Sequence, residues 1–296
     1  MRNSRLNGNR RLLHGLAAAV WILQAQSLTA VTLENRTLQA WTAYVEATER
    51  RIAQELESGS RFLALDFQPF TRADRELHTI ASGDIPVARM ATLDSQGRIF
   101  NVDGGAIHHW RGCVLVPGVD LEEVLFRIAN PGPPDEYQED VLDSMVLGRG
   151  PNWLRVYLKL QRSKIVTVVY NTEHLVSYRR HSGGRASSRS VALKIAELEF
   201  PNSDREKEKP LGSDHGFLWR LNSYWRYQQV DGGVLVECES VSLSRSIPSV
   251  LDFLIRPIVN RTARQSMQRT LAALRDRLIR SRPEPLAALT REVASR

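Results

Sequence analysis

The chain is poor in the residues that build stapled or metal-bound folds. Two cysteines in 296 residues, Cys113 and Cys238, make no disulfide framework, and neither has a metal or redox spacing. His174, His181 and His215 have no ligand partner at a fixed offset, so no metal site is expected. His108 and His109 are adjacent, and neighbours on a strand point to opposite faces, which stops them chelating one ion together. A Ser–His–Asp elbow, a paired-carboxylate motif and a phosphate-binding glycine loop are all missing. The stretch "GGRASSRS" lacks the lysine and strand–helix context of a phosphate loop and reads as a hairpin turn. There is no internal repeat and no low-complexity tract. No catalytic residue, metal ligand or cofactor is assigned. The longest apolar run, Leu12 to Leu23, is broken by His14 and Gly15 and falls short of the ~20 residues of a comfortable membrane span.

That run has a basic approach. Arg2, Arg5, Arg10 and Arg11 precede it without an acid, and small residues follow at Ala25 and Ser27, the −3 and −1 positions of a signal peptidase site. A second cut fits after Ala30. Residues 1–30 are therefore read as a signal peptide, which places the mature chain in the periplasm or outside the cell as a soluble protein. An uncleaved anchor and a cytosolic amphipathic helix remain the alternatives. The net charge of +7 is concentrated at the two ends, in those arginines and in Arg261, Arg264, Arg269, Arg275, Arg277, Arg280 and Arg282. No recognition helix or aromatic RNA-binding motif accompanies the charge. It reads as a targeting segment plus a solvated helix face, with no nucleic-acid partner.

Hydrophobic residues at 42% and charged residues at 25% describe an ordinary globular chain with a sizeable core. In "ENRTLQAWTAYVEATERRIAQELESG" apolar residues recur at three- and four-residue steps, a helical pattern. "RFLALDF" alternates like a strand, and "PVARMATLDSQGRIFNVDGG" looks like two strands around a turn at Asp94 to Gly97. Residues 31–104 thus form an N-terminal helix with short strands. From residue 105 the chain reads strand, short helix at "DLEEVLFRIANPG", an allowed helical turn at "PPDEYQEDV", then six strand-like runs around 141–147, 152–161, 164–178, 187–200, 216–229 and 233–244. Short turn-rich links make consecutive strands antiparallel neighbours. "DREKEKP" is a solvated loop. A long helix follows Pro248, with Val250, Leu251, Leu254 and Ile255 and then Ala263, Met267, Leu271, Leu274 and Leu278 as its apolar stripe; Pro257 is expected to kink or interrupt it. Phe217, Trp219, Leu221, Ser223, Trp225 and Tyr227 share one side of their strand. Val234, Val236 and Cys238 oppose Leu235, Glu237 and Glu239. The apolar sides are expected to meet the long helix, giving an α+β fold in which a sheet curls around it. Residues 281–296 read as a flexible tail.

The final block "GGVLVECESVSLSRSIPSVLDFLIRPIV", with "IHHWRGCVLVPGVDLEEVL" and "GFLWRLNSYWRYQQVDGGVLVECE", resembles exported bacterial members of the START-like, or polyketide cyclase/SRPBCC, superfamily. The resemblance spans residues 105–280. It implies a helix-grip: a seven-stranded antiparallel sheet curled around the C-terminal helix, with a cavity between them and an N-terminal α/β elaboration. It also implies a hydrophobic small molecule or a lipid as ligand, with membrane-surface contact as a further expectation. In that fold the ligand-binding candidates are Trp219, Leu221, Ser223, Trp225, Tyr227, Val236, Met267 and Leu271. Two alternatives stand beside a binding protein. One is a cyclase or dehydratase using His109, Arg111 or Tyr227 as acid–base groups in a polar cluster deep in the cavity. The other is an envelope interaction protein whose cavity is filled by its own side chains. The implied fold pairs the strands of Cys113 and Cys238, which leaves open a disulfide or two buried thiols.

Overall fold

The computed structural model describes residues 33–131, 140–163, 167–210, 212–246 and 249–280. The expected signal peptide, most of the turn at "PPDEYQEDV", Pro248 and residues 281–296 lie outside the described residues. Helix α1, Asn35–Leu56, buries Trp41, Tyr44, Thr48, Ile52 and Glu55 on one stripe. The strand expected at "RFLALDF" is instead a 3-10 turn, Ala64–Phe67. The Asp66 carboxylate accepts from the backbone N–H groups of Phe62 and Leu63, both at 2.8 Å, and this local bonding outcompetes an extended strand. Helix α2, Phe70–Ala81, follows Pro69, and Arg72 pairs with Glu76 one turn on. Strand β1, Val87–Arg89, pairs with β2, Gly105–Pro117. Between them the second expected strand shrinks to one bridge, Leu93 to Ile99, around the Asp94 turn.

Helix α3, Leu121–Ala129, starts where Asp120 accepts from the Glu123 N–H. The strands then run β3, Val141–Gly150; β4, Trp153–Ser163; β5, Thr167–His181; β6, Arg185–Glu199; β7, Lys207–Glu208; β8, Arg220–Val230; and β9, Gly233–Arg245. Helix α4, Ser249–Arg280, closes the chain. Seven long strands and two short ones make one open antiparallel sheet in the order β1-β2-β9-β8-β6-β5-β4-β3, with β7 on β6. Helix α4 continues through Pro257, contrary to the expected interruption. A proline inside a helix costs about 3 kcal/mol, through the lost backbone hydrogen bond and the ring's clash with the preceding turn, which a long packed helix tolerates.

The sheet curls. Register shifts leave Leu142 and Leu147 of β3 and Leu193 of β6 without partners, and such bulges bend a strand and raise its twist. On one turn of α4, Gln268 donates to the Ile85 carbonyl beside edge strand β1, at 3.2 Å. Its neighbour Arg269 reaches Asp140, which leads into the opposite edge strand β3, at 3.1 Å. The two edges therefore meet one helical turn from both sides. The fold is a helix-grip.

The inner face carries Val114, Val116, Ala186, Tyr227, Val234, Val236 and Cys238 against Met267, Leu271 and Leu278 of α4. A Cβ on Gly112 would lie 2.7 Å from Leu271 Cδ1, so glycine sets the closest approach of helix and sheet. The outer face of the same strands is also covered: Tyr224, Val241 and Leu243 pack on α1, and Cys113 on Phe62, Leu63, Leu65 and Ile80. Cys113 and Cys238 are both free and buried. They sit on paired strands one register step apart and point to opposite faces, so they do not bond. Among the described residues no helix is long and apolar enough to cross a membrane.

Candidate functional site

The inner face extends past the part of the sheet that α4 touches most closely. Ser188, Ser190 and Ala192 of β6 pair with Tyr178, Val176 and His174 of β5. Alternation then puts Thr172, Tyr170 and Val168 on the same inner row. Across the next ladder, Tyr170, Thr172, His174 and Val176 oppose Leu160, Leu158, Val156 and Leu154 of β4. Leu154, Val156, Leu160 and Val168 are buried, as are Tyr170, Thr172 and His174. The result is an apolar wall bearing a few polar groups, the composition of a site for an apolar ligand.

The hydrogen bonds define those polar groups. Thr172 Oγ1 donates to the Leu158 carbonyl at 3.0 Å, so its oxygen is left to accept from His174 Nε2, also at 3.0 Å. Burial holds the His174 pKa down at about 4. The ring is therefore neutral near pH 7, with its proton on Nε2 and a lone pair on Nδ1. A group titrating that low is a weak base at neutral pH and serves hydrogen bonding instead. Ser188 and Tyr227 join their hydroxyls at 3.1 Å. The Tyr170 hydroxyl is buried without a partner among the described residues. Burial pushes its pKa well up, and Glu197 and Asp214 add to this, so it stays protonated.

Of the candidates read from sequence, Trp225, Tyr227, Val236, Met267 and Leu271 come together in one packed cluster under α4. Ser223 lies half-buried between Ser190 and Ser240 on the same side, and Leu221 is half-buried opposite Ser242. Trp219 does not join them. It precedes β8, packs with Trp41, Tyr44, Tyr224, Val241 and Leu243, and donates its indole N–H to Asp214 at 3.0 Å. The aromatic stripe breaks because strand alternation starts at Arg220. The row Tyr170, Thr172 and His174 escaped the sequence reading. Its signal is the alternation of Val168, Tyr170, Thr172, His174, Val176 and Tyr178.

The acid–base candidates separate. Tyr227 is on the inner face, whereas His109 and Arg111 are on the outer one, so the sheet stands between them. His109 Nδ1 meets the Tyr44 hydroxyl at 2.8 Å and Nε2 meets Glu239 at 2.7 Å. Arg51 also binds Glu239, and its other nitrogen binds Glu55 at 2.9 Å; Glu55 in turn takes Arg226 at 2.5 Å. Glu237 accepts from the N–H groups of Ala64 and Leu65 and pairs with Arg111, which also binds Glu76. Burial works to raise Glu239, but His109 and Arg51 outweigh it and hold the carboxyl down at about 2. Glu237 goes the other way: burial raises it despite Arg226 and Arg111. These residues fasten α1, the 3-10 turn and α2 to the sheet. They do not line the inner face.

No protein-family model matches the chain, and no curated protein matches it. Solved structures do. A STAR-related lipid transfer protein fragment from Xanthomonas axonopodis is similar at 22% identity and a TM-score of 0.44, over 66% of this chain and 93% of that one. Human STARD10 is similar at 10% identity and a TM-score of 0.42, over 76% and 84%. The Zhui aromatase/cyclase from Streptomyces sp. R1128 is similar at 12% identity and a TM-score of 0.36, over 60% and 97%. The strand order and the gripped helix give this chain the helix-grip architecture.

Proposed function

We propose that the chain is an exported binding protein that holds a hydrophobic small molecule or lipid against the inner face of the sheet. The observation that carries this is the buried wall of Leu154, Val156, Leu160 and Val168 with the hydrogen-bonded pair His174 and Thr172 and the Tyr170 hydroxyl set into it. Affinity would come from apolar burial, roughly 25 cal/mol per Å², and orientation from the polar groups. The outward placement of His109 and Arg111 favours binding over cyclase chemistry built on those residues. The test is organic extraction of protein purified from its native host, followed by mass spectrometry. A co-purifying hydrophobic molecule in amounts near the protein's own is expected. An extract matching the buffer blank, together with no response to a titrated long-chain fluorescent lipid, overturns the reading. Export rests on the basic start, the apolar run and the small residues near Ser27. Sequencing the mature N-terminus should find a start near residue 28 or 31; an intact Met1 in cytosolic protein overturns it.

A further inference from the structure

The unpartnered Tyr170 hydroxyl has a definite neighbourhood. It lies on the inner row one step from Val168, whose partner across the ladder is Arg162. Tyr170 and Arg162 are close enough to influence each other electrostatically. Arg162 reaches Asp140 at 3.4 Å, and Arg269 of α4 reaches the same carboxylate oxygen at 3.1 Å. Two guanidinium groups thus share one carboxylate where the helix meets the rim of the sheet. The Arg162 side chain is 41% exposed, and its pairing with Val168 puts it on the side of the sheet that carries Tyr170. Nearby acids are already engaged: Glu197 is held by Lys209 and His215, and Asp214 takes the Trp219 indole and the Gly216 N–H.

A protonated phenol buried without an acceptor is costly unless something completes it. An apolar chain lying along Leu160 and Val168 would bring its head to that phenol and to the spare positive charge of the Arg162–Arg269 pair. We propose that the inner face selects amphiphiles with an anionic, hydrogen-bond-accepting head of the carboxylate class, received by the Tyr170 hydroxyl and the Arg162 guanidinium. This rests on the inner-face binding reading given above and adds the class of head group.

Palmitate, hexadecanol and hexadecyltrimethylammonium share a chain and differ at the head. Each is titrated by displacement of a fluorescent fatty-chain probe from the full mature protein, its Tyr170→Phe variant and its Arg162→Gln variant, with folding checked by circular dichroism. Tyr170→Phe removes only an unpartnered oxygen, so it should fold at least as well as the parent. Palmitate should bind the parent about tenfold more tightly than hexadecanol, with each variant losing most of that preference. Equal affinity for all three probes overturns the head-group proposal and leaves hydrophobic binding intact. A palmitate preference that survives Tyr170→Phe means the phenol meets only a buried water, and also overturns it. Failure of every probe to bind overturns the inner-face reading itself.

Discussion

Glu239 and His174 are both buried, and the sheet assigns them opposite work. Glu239 stays charged because His109 and Arg51 face it, although one of its oxygens has no partner among the described residues. Removing one member of a buried pair leaves the others uncompensated, so Glu239→Gln should cost about 3 kcal/mol in urea unfolding. The pH dependence follows from the depressed carboxyl. The unfolded chain takes its proton near 4.5 and the folded one at about 2, so the contribution is complete above 4.5 and fades as pH falls towards 2. Glu239→Gln should flatten that acid limb; an unchanged limb would mean the carboxylate is not held as described. His174 is the neutral counterpart. Its ring signals in NMR should stay those of the Nε2-protonated form from about pH 5 to 8. A midpoint close to the ordinary 6.5 would contradict its burial against Thr172.

At the scale of elements, the seat of α4 on β2 is the contact to test. Gly112 leaves room for Leu271 Cδ1 and Met267 Cγ, which a Cβ would meet at 2.7 and 3.0 Å. Gly112→Val should therefore destabilise by about 1–3 kcal/mol through overpacking. Leu271→Ala alone should cost about 2–5 kcal/mol as a cavity. The double variant should be less damaged than the sum, since each change relieves the other; strict additivity would place the helix elsewhere. The same elements show what was readable beforehand. The seven long strands, α1, α3 and α4 follow from period and turn chemistry. Helix α2 went unread, although Arg72 and Glu76 stand one turn apart on it. Leu142, Leu147 and Leu193 defeat strict alternation because each occupies a bulge. Alternation also placed Glu237 and Glu239 opposite the helix, but it carries no sign of what covers that opposite face. His109 and Arg111 looked like cavity chemistry for the same reason: a single strand does not reveal which of its sides is the concave one. The Tyr170 row shows as alternation from Val168 to Tyr178, but its polar members Thr172 and His174 carry no sequence sign of their burial.

At the scale of the molecule, residues 33–104 belong to the same packed body as the sheet. They cover Cys113, Arg111, Arg226, Glu237 and Glu239, all 2% exposed or less. A truncated chain starting at residue 105 keeps every long strand and α4, yet it would bare those charges and the apolar rows beside them. It should fail to unfold cooperatively on heating; a sharp transition at the parent's temperature would show the layer to be dispensable. The clamp behind the sheet has a mechanical consequence. With its back pinned by ion pairs through β2, β8 and β9, that part of the sheet is a braced wall that resists bowing outward. Next to those three strands, room in the interior would come from the side of α4. On the binding reading proposed above, a guest beside these strands would be admitted by the helix, and its girth set by how far one helix lifts from a braced wall.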